Sequence, residues 1–260
     1  MTQGTLSAIL PLILFLMGLF LGLIHLMIQR RKNWAGQTCL ILTAAGLLSQ
    51  FVTLMLRWIS GGHFPVVGLF EALFFFSFCL AFSFLYLSIR AKRIGPGVLG
   101  TLAMAIMALI PCIWIPKPVA SLTPALDTPL FLIHVLFSFI GYACFAAAAS
   151  MGGEFLLTKD ANTFPWIDHT LLMGFSLFTL CMIAGAIWAY LAWESYWMWN
   201  LKGIWSFSLW IFYAGIIHHQ FSADQERPPK SRAIYAIIGF LLTLFTFLGL
   251  GLLMRGTHRL

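Results

Sequence analysis

Seven histidines and ten tryptophans are the residues of this chain best suited to holding a ligand. A neutral imidazole is the commonest protein ligand for a metal and a regular axial ligand for haem iron. Indole faces bind large planar apolar molecules through stacking and buried area. The histidines are His25, His63, His134, His169, His218, His219 and His258. Six of the ten tryptophans crowd into one stretch, GAIWAYLAWESYWMWNLKGIW and the residues just after it: Trp188, Trp193, Trp197, Trp199, Trp205 and Trp210. The five cysteines form no CxxC pair, no CxxCH for covalent haem attachment and no zinc spacing. They read as small buried apolar residues. There is no Walker motif, so any use of ATP would fall to a partner.

The elements that must position these side chains are set by composition. The chain has 260 residues, 61% hydrophobic and only 9% charged, with a mean hydropathy of +0.93. A soluble domain averages roughly 45–50% apolar and 25% charged residues. A soluble globular protein is therefore excluded, and so is a disordered one, which would be charge-rich and apolar-poor. Apolar runs give eight candidate spans, roughly 5–28, 36–58, 66–89, 97–115, 129–157, 170–190, 203–221 and 232–254. They are too long and too uniform for barrel strands. The expectation is an all-α membrane protein, a bundle of about eight transmembrane helices forming one multi-pass domain over residues 1–260 in the lipid bilayer.

The net charge of +7 belongs to topology, with no nucleic-acid partner implied. Ten of the fifteen cations lie in the breaks after spans one, three, five and seven: Arg30, Arg31, Lys32, Arg90, Lys92, Arg93, Lys159, Arg227, Lys230 and Arg232. The positive-inside rule puts those breaks in the cytoplasm and both termini on the outer side. Because Arg30, Arg31 and Lys32 follow the first apolar run, that run reads as a retained span and not as a signal peptide.

This topology gives the histidines depth. His134 sits about 7–8 Å below the outer end of span five. His258 follows span eight on the same side. His25, His218, His219 and His169 lie toward the cytoplasmic side, and His63 is in an outer loop. A lone histidine at a span end is commonly an interfacial residue, but ionisable residues inside apolar stretches are rare and tend to be functional. The tryptophans converge on the outer junction of spans six and seven. An aromatic belt would spread over all outer span ends, whereas here one junction is loaded. A flat Trp shelf between His134 and His258 suits a porphyrin, with Lys202, Arg255 and Arg259 near enough in sequence to meet its propionates. A quinone or carotenoid would also suit the shelf but would not need the flanking imidazoles.

The segment GAIWAYLAWESYWMWNLKGIWSFSLWIFYAGIIHH resembles the tryptophan-rich "WWD" haem-handling region of the cytochrome c assembly proteins of CcsA, ResC and CcmC type. GGHFPVVGLFEALFFFS, IHVLFSFIGYACFAAAAS and GLGLLMRGTHRL resemble further blocks of the CcsA branch, in the same order. The likeness covers about 63–83 and 130–258, with the WWD-like outer loop at about 188–205. It implies that His134 and His258 are outer iron ligands and that His218 serves a cytoplasm-side haem. It implies a haem-binding role for Trp188, Trp193, Trp197, Trp199, Trp205, Lys202 and Arg255. In the CcsA branch the partner of the inner histidine comes from another polypeptide; here His25 is available in the same chain. The loop departs from the family pattern. The run Asn200, Leu201, Lys202, Gly203, Ile204 stands where relatives carry Asp, Pro, Lys, Glu, Thr, and Glu194 replaces a usual glycine. Small eight-span relatives of this kind are HemX-like.

These readings imply non-covalent haem b at one or two sites, in a bacterial cytoplasmic (inner) membrane. The leading function is translocation or presentation of haem from the cytoplasmic to the outer face, in cytochrome c biogenesis or haem homeostasis. The protein would then be a carrier more than a catalyst. One alternative is a cytochrome c haem lyase subunit acting on an apocytochrome with a CcsB-like partner. Another is a haem-sensing regulator working through a haem-biosynthesis enzyme. Glu71, a few residues into span three, must be either neutral and hydrogen-bonded or paired, in a structural role or as polarity beside a haem.

Overall fold

The computed structural model describes residues 3–28, 34–115, 122–222 and 230–249, and every regular element among them is helical. Eight α-helices follow in order: α1 (Gln3–Met27), α2 (Trp34–Gly61), α3 (Leu69–Arg90), α4 (Pro96–Leu109), α5 (Pro129–Thr158), α6 (Phe164–Trp193), α7 (Leu201–Ser222) and α8 (Lys230–Leu244). A 3-10 turn at Ile110–Ile113 extends α4, another at Ala161–Thr163 leads into α6, and a π-helical turn at Phe245–Gly249 continues α8. Among the described residues seven helical stretches are long and apolar enough to cross a membrane. α7 has the length but carries Lys202, His218 and His219. On α1, Leu10, Ile13, Met17 and Phe20 are exposed at a spacing of three and four, an apolar stripe suited to lipid. The protein is a multi-pass membrane protein. Its described residues fall into two compact units, Met1–Ser121 and Leu122–Leu260.

In the first unit, α1 and α2 are antiparallel and meet through small residues, which let two helices approach closely where lipid gives no hydrophobic drive. Gly18 and Gly22 on α1 face Thr43 and Cys39 on α2, and Gly46 on α2 receives the Phe15 ring. α3 is the most enclosed helix, burying Phe70, Phe74, Phe84 and Leu87. Gln50 of α2 is fully buried and donates to Ser77 Oγ at 3.3 Å and to the Phe74 carbonyl at 3.5 Å. α3 starts at Leu69, three residues later than the apolar run suggests, because Gly68 has φ 110°, a conformation outside the helix that L side chains rarely adopt. That start puts Glu71 in the first turn of α3, where it is ion-paired with Arg57 of α2; the Arg57 guanidinium also lies 4.9 Å from the centre of the Phe70 ring. Of the two states open to this carboxyl, the structure takes the paired one.

In the second unit, α5 packs along α6 and α8. Gly141 and Gly174 bring the α5 and α6 backbones together, and Gly152 lets α5 approach the Ala233 backbone of α8. Tyr213 of α7 stacks on Phe145 at 3.6 Å and reaches Thr243 Oγ1 of α8 at 3.2 Å. α6 begins six residues before the span read from the sequence. Pro165 lies in its first turn, where a missing N–H costs nothing. Asp168, a poor candidate for a span on its own, accepts from Arg232 of α8 at 2.6 Å, and that guanidinium lies 5.2 Å from the centre of the Phe164 ring. A paired acid can enter a helix end that an isolated one would terminate.

Candidate functional site

His134 projects from the second turn of α5 onto α6, at Cys181, Gly185 and Trp188. These three are spaced i, i+4 and i+7, so they share one helix face. The imidazole Nδ1 lies 2.8 Å from the Cys181 carbonyl oxygen and 3.3 Å from Cys181 Sγ. A carbonyl can only accept, so Nδ1 carries the proton, and in the neutral ring Nε2 keeps its lone pair. In an α-helix the residue at i+4 normally covers the carbonyl of residue i. Here that residue is Gly185, and a Cβ on it would come within 2.5 Å of Nδ1. The glycine thus uncovers the acceptor and admits the ring. Trp188 lies over the imidazole at 6.1 Å between centres, 23° from parallel, and its own N–H is anchored to the Ala125 carbonyl at 2.7 Å. Trp193 meets Trp188 edge-on at 4.8 Å, and Phe131 closes the other side at 5.1 Å.

The Trp-rich segment is part helix and part loop. Trp188 and Trp193 belong to α6, Trp197 and Trp199 to the connection, and Trp205 and Trp210 to α7. The rings are not coplanar: Trp188 and Trp193 cross at 71°, Trp197 and Trp199 at 66°. The flat shelf expected from composition is instead faceted. Phe207 sits beside both Trp197 and Trp199 and stacks on Trp210. Trp205 turns away to the Phe245 ring, 4.9 Å off. The Trp197 indole nitrogen is buried and has no hydrogen-bond partner among the described residues.

Two departures from the family loop find a local cause. Asn200 Oδ1 accepts from the Gly203 N–H at 2.8 Å and caps α7, which Asn does as well as Asp. A Cβ at Gly203 would collide with the Met198 carbonyl, so this loop path has no room for the acid that the resemblance leads one to expect there. Glu194 terminates α6 at φ 58°, the left-handed conformation that makes glycine usual there. Lys202 is exposed in the first turn of α7.

The remaining candidates are dispersed. His258 and Arg255 lie outside the described residues. His25 belongs to the first unit and His218 to the second. His218 and His219 are exposed near the end of α7. His63 donates to its neighbour's carbonyl, Phe64 O, at 3.2 Å, and His169 lies edge-on to Trp166. Among the described residues no group of three His, Cys, Asp or Glu is placed to hold a metal ion by itself.

Residues 66–258 match the family described as "Cytochrome C assembly protein". The chain belongs to that family. Curated relatives named cytochrome c biogenesis protein CcsA include one from Chlamydomonas reinhardtii, 28% identical over 84% of this chain and 67% of the relative. Another, from Prochlorococcus marinus strain MIT 9312, is 28% identical over 82% of this chain and 81% of its own. The solved structure of cytochrome c heme lyase CcmF superposes with a TM-score of 0.74 at 18% identity, over 99% of this chain and 51% of that one. The chain thus spans about half of CcmF, and at that identity the likeness shows the fold alone.

Sequence reasoning singled out His134 but not Cys181 and Gly185, which orient its ring. Their spacing to Trp188 was the available signal. It was hidden because a helical stripe of Cys, Gly and Trp reads equally well as ordinary packing. Asn200 as a helix cap was legible from an Asn just before a new apolar run.

Proposed function

We propose that this protein binds haem as its cargo at the end of the α5–α6 pair, with His134 an iron ligand, and presents it during cytochrome c biogenesis. The observation that carries the reading is the preparation of one imidazole. Its Nδ1–H is held by the Cys181 carbonyl, Gly185 clears space for the ring, and Trp188 covers its face. Metal-binding histidines are typically oriented in this way, through a second hydrogen bond from the other ring nitrogen. Trp193 and Trp197 add stacking area, and the unpartnered Trp197 N–H is a donor available to a polar edge of the cargo. His258 as the second outer ligand, Arg255 and Lys202 as propionate partners, and His218 as an inner ligand complete the proposal on the strength of the resemblance. So do the outer position of the termini and residence in a bacterial inner membrane.

A second reading, a haem lyase subunit acting on apocytochrome beside a CcsB-like partner, fits the same family about equally: the curated relatives are named for cytochrome c biogenesis and the structural neighbour CcmF as a heme lyase. Attachment requires the haem edge to be oriented toward a thiol within a tight polar frame. The loop here lacks the acid at Gly203, so binding without attachment is the preferred reading. Protein purified from haem-replete cells should show a b-type spectrum, with haem released by acid–acetone, and His134→Ala should lose it. Absence of a Soret band would refute the binding proposal. Covalent haem on a co-expressed CxxCH reporter, in cells lacking their own maturation system, would make the protein an attachment enzyme.

A further inference from the structure

A polar cavity lies in the first unit, lined by none of the residues around His134. It has a volume of about 340 Å³ and is walled by His25, Gly36, Ser88, Lys92 and Arg93, with Ile89 on its apolar side. Two buried polar atoms on its wall have no hydrogen-bond partner among the described residues, His25 Nδ1 and Ser88 Oγ. Ser88 is only 4% exposed. Leaving such groups without a partner costs free energy unless something enters to accept from them. Gly36 leaves the imidazole nitrogen uncovered, since a Cβ there would lie 3.2 Å from it.

The end of α3 brings two cations to the same place. The Arg93 N–H donates to the Ser88 carbonyl at 3.2 Å and the Lys92 N–H to the Ile89 carbonyl at 3.3 Å. That pair of bonds folds the chain back over the helix end. Lys92 takes the turn position at φ 50°, where glycine would be cheaper, so its side chain is kept at a cost in backbone energy. The cavity wall therefore carries a hydroxyl, an imidazole nitrogen, an ammonium and a guanidinium, and among the described residues no carboxylate lines it. This donor set fits a compact oxyanion. Ile89 is 63% exposed on the lipid-facing surface beside it, and Trp34, half exposed at the start of α2, marks the level of an interface.

We propose that this cavity binds the phosphate of an anionic phospholipid, with the acyl chains running down past Ile89. Basic pockets between transmembrane helices take headgroups of this kind. The phosphate oxygens accept from Ser88 Oγ and His25 Nδ1, while Lys92 and Arg93 supply charge. The proposal does not depend on haem binding at His134.

The test is native mass spectrometry of the full chain in mild detergent, titrated with phosphatidylglycerol or phosphatidylcholine. Phosphatidylglycerol adducts should dominate, and the double variant Lys92→Asn/Arg93→Gln should lose about 30-fold in retention, the effect of two cationic contacts. Ser88→Ala should lose less, and Lys159→Asn, a matched lysine at the end of α5, should lose nothing. Displacement of the lipid by millimolar inorganic phosphate would support a site that reads the phosphate group, with the apolar wall adding affinity for the lipid. Equal retention of both lipids, or equal retention by the double variant and the parent, would overturn the proposal. Loss of a haem spectral component in the double variant with unchanged lipid retention would also overturn it, assigning the cavity to haem propionates.

Discussion

Gly185→Ala is the sharpest probe of the His134 arrangement, because two effects of the substitution have opposite signs. Alanine replaces glycine inside α6, which by itself should stabilise the helix by about 0.5–1 kcal/mol. The new methyl, however, would lie 2.5 Å from His134 Nδ1 and 2.8 Å from Cε1. To reach ordinary contact the ring must retreat by about 1 Å. Its bond to the Cys181 carbonyl, now 2.8 Å, would then stretch beyond hydrogen-bonding range. Overpacking costs about 1–3 kcal/mol and the lost bond about 1 kcal/mol, so the local penalty exceeds the helix gain. If 1–3 kcal/mol of it falls on ligand binding, haem retention drops about 5- to 150-fold. The assay is haem per chain after gel filtration, with the reduced and oxidised spectra and a thermal melt on the same sample. Gly153→Ala on α5 and Gly215→Ala on α7 are the controls, since a methyl at either meets nothing within 4 Å. Both should keep parental haem and melt no lower. A Gly185→Ala protein with parental haem content and an unchanged spectrum would refute the claim that this imidazole, in this pose, holds iron.

Glu194→Gly should raise the melting temperature by about 2 °C, because it relieves a left-handed residue at some cost in unfolded-state entropy; a fall would mean that the Glu194 side chain has a role of its own. For topology, Ser195→Cys should be labelled by an impermeant thiol reagent from outside and Asn162→Cys should not, as the ten-to-five division of cations requires. The opposite pattern would exchange the inner and outer histidines.

The spans were legible because a membrane helix is specified by little more than the length of its apolar run. Seven of the stretches expected from apolar length alone are long enough to cross, and α5 agrees with its expected bounds to within a residue. The errors came where a backbone conformation or a polar contact overrode composition: Gly68 delays α3. Asp168 lengthened α6 because Arg232, 64 positions later, neutralises it. Glu71 could not be assigned a state until the helix before it brought Arg57 to its side. His134 stood out as an ionisable residue in an apolar stretch. Its tautomer depends on a main-chain oxygen of another helix, and no residue type announces which carbonyl is left uncovered. The tryptophans gave the location of the aromatic cluster but not its shape, since ring planes are set by packing partners such as Phe207 and Phe245.

The contact between Gly203 and the Met198 carbonyl constrains the paths open to this lineage. An acid could not be regained at position 203 by a single codon change followed by selection, because the first intermediate would force a backbone carbonyl out of its place. The connection between α6 and α7 would have to take another path to admit it. Asn200, by contrast, can return to Asp in one step, since the cap accepts either side chain. Two departures that look equivalent in an alignment therefore differ in reversibility. One is a neutral toggle and the other is a ratchet, and relatives with glycine at this position should share the tight loop whatever occupies the cap.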